Sequence, residues 1–374
     1  MESARDTRFM NLALRLASKA KGRTAPNPMV GAVLVRGSRV VAIGYHRQAG
    51  LPHAEVEALR RAGARARGST LYVTLEPCNH YGRTPPCCDA ILHAGVSRVV
   101  IASRDPNPIT DGRGIGRLRQ RGIRVTTGVL EREARRLNEP FYKVMSAHMP
   151  FVIAKVGQSL DGKIATTSGE SRWITSPAAR RLTHQWRGRA DAILVGINTV
   201  LRDDPLLSVR GITHRPDRPI KIIVDSRLRI PPTAKCLSMK SPAPTLVATT
   251  VQAHARRRAL AHRGVEVLMF RPHHGRVPLR LLFRRLVDRG IHSLLIEGGG
   301  EVLASAFAER LVDRIAFLVA PILIGGREAP SSVAGQGISR LARAIQLDEV
   351  SARRVGPDLC VEARVVYPKS RGVR

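Results

Sequence analysis

The apolar positions change period several times along the first hundred residues. Residues 6–21 place apolar side chains at three- and four-residue intervals and stop before Gly22, which predicts an amphipathic helix. Residues 29–35 (MVGAVLV) and 39–45 (RVVAIGY) are rich in β-branched side chains. Gly37-Ser38 lies between them, so the pair predicts a hairpin. Residues 53–66 carry Ala, Glu and Arg in a helical pattern, 69–76 (STLYVTLE) read as a strand, 88–94 as a helix stopped by Gly95, and 97–102 as a strand. Strand and helix alternate, which predicts an α/β fold with helices covering a sheet.

The alternation pauses over 131–150, where a helical pattern meets a proline-bounded stretch, and a new strand begins at 151–157 (FVIAKVG). Further strands are predicted at 191–195, 220–225, 245–249, 265–269, 292–296, 314–320 and 361–367, with helices near 176–187, 252–261, 278–289 and 300–310. The 374 residues fit two domains of ordinary size, placed at 1–147 and 148–374. No internal repeat or low-complexity block is visible.

Composition narrows the class. With 43% hydrophobic and 24% charged residues the chain is not disordered as a whole. No apolar run approaches the roughly 18 residues that a membrane-spanning helix requires, and residues 1–23 carry charges where a signal peptide needs an apolar stretch. Five cysteines, two of them adjacent, make no disulfide framework; this suits a reducing, cytoplasmic setting in which thiols are read first as metal ligands. The net charge of +33 favours anionic partners. It is spread through both halves (25 basic and 11 acidic residues in 1–147, 37 and 18 in 148–374) without a polybasic tail, and only 4% of residues are aromatic. That distribution describes a solvated basic surface with local phosphate pockets, not a stacking platform for single strands.

The strongest local signal is His53-Ala54-Glu55 followed by Pro77-Cys78 and, nine residues on, Cys87. One imidazole and two thiolates supply three zinc ligands and leave the fourth tetrahedral position for water, whose pKa zinc lowers to around 7. Each ligand-bearing segment should open a helix, after Pro52 and after Pro85-Pro86, and a helix start favours the thiolate form of Cys87. Glu55 is offset from the metal and can move a proton from that water to the ring nitrogen and the leaving ammonia. The alternatives are buried cysteines with no metal, or a structural zinc site completed by His80 or Cys88, which gives Glu55 no role. The order H-x-E…P-C…C is that of zinc base deaminases, except that the usual C-x-x-C is stretched to eight intervening residues.

In the second half, residues 294–296 run into Glu297-Gly298-Gly299-Gly300 before a predicted helix, either an anion cradle or a tight turn. Residues 222–224 deliver Asp225-Ser226-Arg227 at a strand end, either to hold a ribose 2′-phosphate and so select NADP, or as a capped turn.

Taken together, Pro26-Asn27-Pro28-Met29-Val30-Gly31, His53-Ala54-Glu55 and the 77–87 segment resemble a family of riboflavin-biosynthesis proteins. Its members are bifunctional diaminohydroxyphosphoribosylaminopyrimidine deaminase / 5-amino-6-(5-phosphoribosylamino)uracil reductases, and the stretched cysteine spacing is that family's own. Residues 155–163 (KVGQSLDGK), 168–175 (SGESRWIT), 203–210 (DDPLLSVR) and Glu297-Gly298-Gly299 resemble its reductase half. The resemblance implies a cytidine-deaminase-like α/β/α sandwich followed by a dihydrofolate-reductase-like α/β domain. It implies Zn2+ on His53, Cys78 and Cys87, with Glu55 as the proton donor. Asn27, His46, Arg83, Asp105 and Asn107 would meet the phosphorylated pyrimidine; the family usually has Lys where this chain has Arg83, and a planar fork replaces a point charge.

In the second half it implies NADPH on Gly157, Trp173, Thr199, Asp203, Ser226, Gly299, Gly300, Glu301, Val302, Leu303, Ala304 and Ser305. Ser171, Arg187, Leu207, Arg210 and Glu297 would hold the second substrate, with Lys155, Asp203 and Glu297 managing protons. The family also implies self-association through the reductase half. The rival readings are a zinc-dependent polynucleotide base deaminase with an accessory domain, and a zinc-stabilised nucleic-acid-binding module. The first does not account for residues 150–374 and entails steeply salt-dependent DNA or RNA binding; the second entails that Glu55→Gln leaves function intact.

Overall fold

A computed structural model describes residues 2–81, 85–211, 218–238 and 243–368. The chain forms two compact units, Met1–His148 and Met149–Arg374.

In the first unit the elements run α1 (Glu2–Ser18), β1 (Gly31–Arg36), β2 (Arg39–Tyr45), α2 (Ala54–Ala62), β3 (Thr70–Leu75), α3 (Cys87–His93), β4 (Arg98–Ser103), α4 (Arg113–Gln120), β5 (Arg124–Thr127), α5 (Glu131–Leu137) and α6 (Glu139–Ala147). The sheet order is β2-β1-β3-β4-β5. β1 runs antiparallel to both neighbours, while β3, β4 and β5 are parallel. Alternation along the strands loads both faces. Ala32, Leu34, Leu71, Val73, Val99 and Ile101 pack with α2, α3 and α4, whereas Val33, Val35, Tyr72, Val100 and Ala102 pack with α1 and Ala134 of α5. The result is an α/β/α sandwich. The predicted 53–66 helix divides: α2 ends at Gly63, whose φ of 55° breaks the α-helix, and 63–66 close as a 3-10 turn.

The second unit contains β6 (Phe151–Ser159), α7 (Pro177–Arg189), β7 (Ala192–Gly196), α8 (Ile197–Asp203), β8 (Ile220–Val224), β9 (Thr245–Thr249), α9 (His254–Ala261), β10 (Val265–Met269), α10 (Leu279–Val287), β11 (Ser293–Glu297), α11 (Gly300–Ala308), β12 (Arg314–Ala320), β13 (Gln346–Val355) and β14 (Asp358–Val366). One nine-stranded sheet has the order β10-β9-β8-β7-β11-β6-β12-β14-β13. It is parallel from β10 to β12, and the β13–β14 hairpin adds the antiparallel edge. α10 and α11 cover one face through Leu282, Phe283, Leu286, Leu303 and Ala306. α7, α8 and α9 cover the other through Trp186, Val200 and Leu260. Among the described residues no helix is long and apolar enough to cross a membrane.

Candidate active sites

Topology gathers the first site on one edge of the five-stranded sheet. Gly31 of β1 pairs with Tyr45, Ala32 with Val73, and Leu75 with Ser103. The start of β1 and the ends of β2, β3 and β4 therefore share an edge. From it emerge Asn27 before β1, His46 after β2, Cys78 after β3, and Asp105 and Asn107 after β4. His53 sits at the N-cap of α2 and Cys87 is the first residue of α3.

There the donor atoms of His53, Cys78 and Cys87 all lie within 4.8 Å of one another. His53 Nδ1 is 3.1 Å from Cys87 Sγ and 3.6 Å from Cys78 Sγ. Two sulfurs and one nitrogen at this spacing fit a tetrahedral zinc with bonds of about 2.0–2.3 Å. Among the described residues no fourth His, Cys, Asp or Glu joins the cluster. Cys88 turns away: its Sγ faces the carbonyls of Pro77 and Gly114, at 3.6 and 3.7 Å.

The start of α3 reaches the neighbouring sulfur. The Cys87 backbone N–H donates to Cys78 Sγ at 3.3 Å. Hydrogen bonds from the Cys87 side chain and from His53 join it in pulling the Cys78 thiol down to about 4. Cys87 moves the other way, because it shares its hydrogen bond with Cys78 and is buried. The helix start acts on its neighbour's sulfur.

Glu55 is 3% exposed, and burial pushes its carboxyl up to about 7. His46 is held between two partners: Nδ1 donates to the Pro52 carbonyl at 3.2 Å, and Nε2 accepts from Asn27 Nδ2 at 3.1 Å. Burial lowers its pKa, which keeps that neutral tautomer. Its ring meets His53 edge-on, with centroids 5.5 Å apart. Asp105 is pushed up to about 6 by burial. Its Oδ1 accepts from the Asn107 N–H, and Asn107 Oδ1 accepts from the Ile109 N–H, so both side chains also shape their own loop. Arg83 lies outside the described residues. Glu76, which the sequence reading passes over, accepts three backbone N–H groups from the loop after β4. The signal available was an acidic residue inside the apolar end of a strand.

The second site is a cavity of about 1590 Å3 at the carboxyl ends of β6, β7, β8 and β11, where parallel α/β sheets bind ligands. Every residue expected in this half lines it, Ala304 excepted. Ala304 faces Gly335 instead, where a Cβ would come within 2.9 Å of its own. Leu303 is fully buried in the core, which leaves its backbone as the part that can reach a ligand. Gly298 and Gly299 turn the chain with φ of 80° and 82°, and α11 starts at Gly300. A Cβ on Gly300 would meet the Ser331 carbonyl at 2.7 Å, so only glycine lets that wall close. Glycine turn, helix start and cavity size fit a dinucleotide.

At the floor, Arg187 forks onto Glu297, Nε to Oε1 at 2.5 Å and Nη2 to Oε2 at 2.9 Å, while Nη1 donates to the Ser208 carbonyl. Lys155 Nζ stands 3.8 Å from the same carboxylate. Burial alone would raise Glu297, but Arg187 and Lys155 hold it below the usual range. Burial lowers the Lys155 ammonium. Arg187 is thus engaged by Glu297 on the cavity floor, and the two cations beside Glu297 favour its ionised form. Arg210 remains exposed at the wall.

Ser171 Oγ donates to Asp203 Oδ1 at 2.7 Å. Trp173 is 69% exposed at the rim, with the Arg180 guanidinium 4.4 Å over its ring, so it is not core. Asp225 does cap the turn after β8, accepting from the Ile230 N–H, and Ser226 Oγ accepts from Val277, yet Ser226 and Arg227 still line the cavity.

Both halves of the chain have known relatives. Residues 3–103 match the family model described as the cytidine and deoxycytidylate deaminase zinc-binding region. Residues 150–361 match the RibD C-terminal domain. The riboflavin biosynthesis protein RibD of Aquifex aeolicus (strain VF5) is 43% identical over 356 residues, 95% of this chain and 97% of the relative. That of Escherichia coli (strain K12) is 42% identical over 367 residues, 95% and 98% of the two chains. The solved Acinetobacter baumannii RibD superposes with a TM-score of 0.86 at 37% identity, covering 98% of this chain and all of that one. A Thermotoga maritima structure described as a diaminohydroxyphosphoribosylaminopyrimidine deaminase/5-amino-6-(5-phosphoribosylamino)uracil reductase gives 0.85 at 33%, with 98% and 100% covered. With both domain types in the same order and identity sustained over nearly the whole length, this chain belongs to the RibD family of bifunctional deaminase–reductases of riboflavin biosynthesis.

Proposed function

We propose that residues 1–147 deaminate 2,5-diamino-6-(5-phosphoribosylamino)pyrimidin-4(3H)-one hydrolytically. Residues 148–374 then reduce the ribosyl group of 5-amino-6-(5-phosphoribosylamino)uracil to ribityl with NADPH. The observation that carries the first half is the three-donor cluster with buried Glu55 beside it and no fourth protein ligand among the described residues.

His53, Cys78 and Cys87 would hold a zinc ion, which would supply the Lewis acidity that activates water. Glu55 accepts one water proton at its carboxylate and passes it to the ring nitrogen, then carries the second, from the hydroxyl added at the ring carbon, to the amino group, which leaves as ammonia as the carbonyl forms. Asn27 and His46, already fixed to each other, hold the pyrimidine edge; Arg83, Asp105 and Asn107 complete the grip on the phosphoribosyl side.

In the second half the cavity would hold NADPH, which would supply the hydride that reduces C1′. The glycine turn and residues 299–305 hold its phosphates, with Gly157, Trp173, Thr199, Asp203 and Ser226 around the rest. Ser171, Arg187, Leu207, Arg210 and Glu297 contact the substrate. Glu297 orients Lys155, whose ammonium gives up a proton more readily because it is buried. Asp203, linked to Ser171, steadies the opposite wall.

Cys78 and Cys87 must stay reduced to bind metal, which supports a cytoplasmic setting. Exposed Leu341, Leu347 and Val350 in the second unit support a homo-oligomer formed through that half.

The test follows ammonia release and NADPH absorbance separately on the full chain. Glu55→Gln should stop deamination while retaining zinc and still reduce the aminouracil supplied to it. One substitution that silences both activities in a folded protein rejects the division into two sites.

A further inference from the structure

The loop that carries Asp105 and Asn107 is tied to the metal-binding segment through one side chain. Glu76 immediately precedes Pro77-Cys78 and is 3% exposed. Its Oε2 accepts from the N–H groups of Asp105 at 3.3 Å and Gly112 at 3.0 Å, and its Oε1 from that of Ile115 at 3.1 Å. Those three donors bracket the loop and the first turn of α4.

Two further contacts seal the same junction. Gly114 lies so close that a Cβ there would meet the Pro77 carbonyl at 2.1 Å and Glu76 Oε1 at 3.3 Å. Cys88, next to the ligand Cys87, packs its Sγ between the carbonyls of Pro77 and Gly114. Ending β3 needs none of this, since the Glu76 N–H already bonds the Ser103 carbonyl at 3.0 Å. A carboxyl group buried for three donors of one loop fixes that loop's position.

We propose that Glu76 is a positioning residue for deamination, holding Asp105 and Asn107 in register with Cys78 so that the substrate is gripped beside the metal site. The inference rests on the deamination reading above, with Asp105 and Asn107 as substrate contacts. Glu76 acts through the loop, so its effect falls on binding shared by ground and transition states: KM changes and kcat does not. A glutamine at 76 would keep one accepting oxygen but turn an NH2 group towards the remaining N–H donors.

The experiment measures steady-state deamination by the zinc-loaded full chain as wild type, Glu76→Gln, Asp105→Asn and the double variant. Metal content is read for each, and a cooperative unfolding transition followed by circular dichroism serves as the folding control. Glu76→Gln is expected to raise KM at least about tenfold with kcat within about threefold and zinc unchanged. The double variant should be no worse than the more impaired single one, because both changes act through one loop. A fall in kcat at constant KM, loss of zinc, no effect, or full additivity with Asp105→Asn overturns the inference while leaving wild-type deamination in place. A wild-type chain that releases no ammonia removes the underlying reading instead. Should Glu76→Gln not fold, Glu76→Asp takes its place: it keeps the carboxyl group but withdraws it by one methylene from the three N–H donors. It must reproduce the rise in KM with kcat held, and an unchanged KM overturns the proposal.

Discussion

Glu55 and Glu297 are both buried carboxyl groups, and their neighbours drive them apart. Burial pushes Glu55 up to about 7, whereas Arg187 and Lys155 outweigh burial at Glu297 and keep it ionised. Glu55 must be unprotonated to accept from water, so its competent fraction falls as pH drops through about 7. A zinc ion with two thiolates and a neutral imidazole is uncharged overall, which leaves burial as the main influence. The expected pH profile of deamination kcat/KM declines towards tenfold per unit below 7 and flattens above it; Glu55→Gln abolishes it. Arg187→Ala would leave Glu297 buried with only Lys155, at 3.8 Å. Removing one partner of a buried pair costs about 3–5 kcal/mol, to be read as lowered denaturant resistance of the second unit. Sequence alone could group His53, Glu55, Cys78 and Cys87, because metal chemistry is set by residue type and short spacing. It could not show that Arg187 is engaged by a carboxylate 110 positions away, nor that the Cys87 N–H serves Cys78.

At the scale of elements, strands at 245–249, 265–269 and 314–320 lie where their patterns put them. The missed elements are those whose own sequence argues weakly. α4 (RGIGRLRQ) holds two glycines and three arginines and is stabilised by burying Ile115 and Leu118. β5 has four residues and no buried one, and β13 is an exposed edge strand whose register shifts between Asp348 and Ser351. α8 follows β7 without a break, so no turn residue announces it. The glycine turn was readable as either a cradle or a tight turn, and it is both, since it starts α11 inside the cavity wall. Gly300→Ala would drive a Cβ into the Ser331 carbonyl and displace that start. NADPH KM is expected to rise about tenfold in the reductase assay, with ammonia release unchanged.

Across the whole molecule, two compact units each carry one site, and that separation has a direct test. Stripping metal with a chelator is expected to stop ammonia release and leave NADPH reduction of supplied aminouracil at its original rate; adding zinc restores the first activity. A polynucleotide deaminase would have no use for the 1590 Å3 cavity of the second unit. The net charge of +33 suits two anionic small ligands, phosphoribosyl pyrimidine and NADPH, through long-range attraction that salt screens. The α/β class and the family were present in the linear order of residues, because periodicity and motif spacing are local properties. The ionisation of each buried carboxyl group, the engagement of Arg187 and the clamping of the 105–115 loop by Glu76 were decided only by the tertiary structure. Each depends on burial and on partners 29 to 110 positions apart, which come within bonding distance only once the sheets have formed.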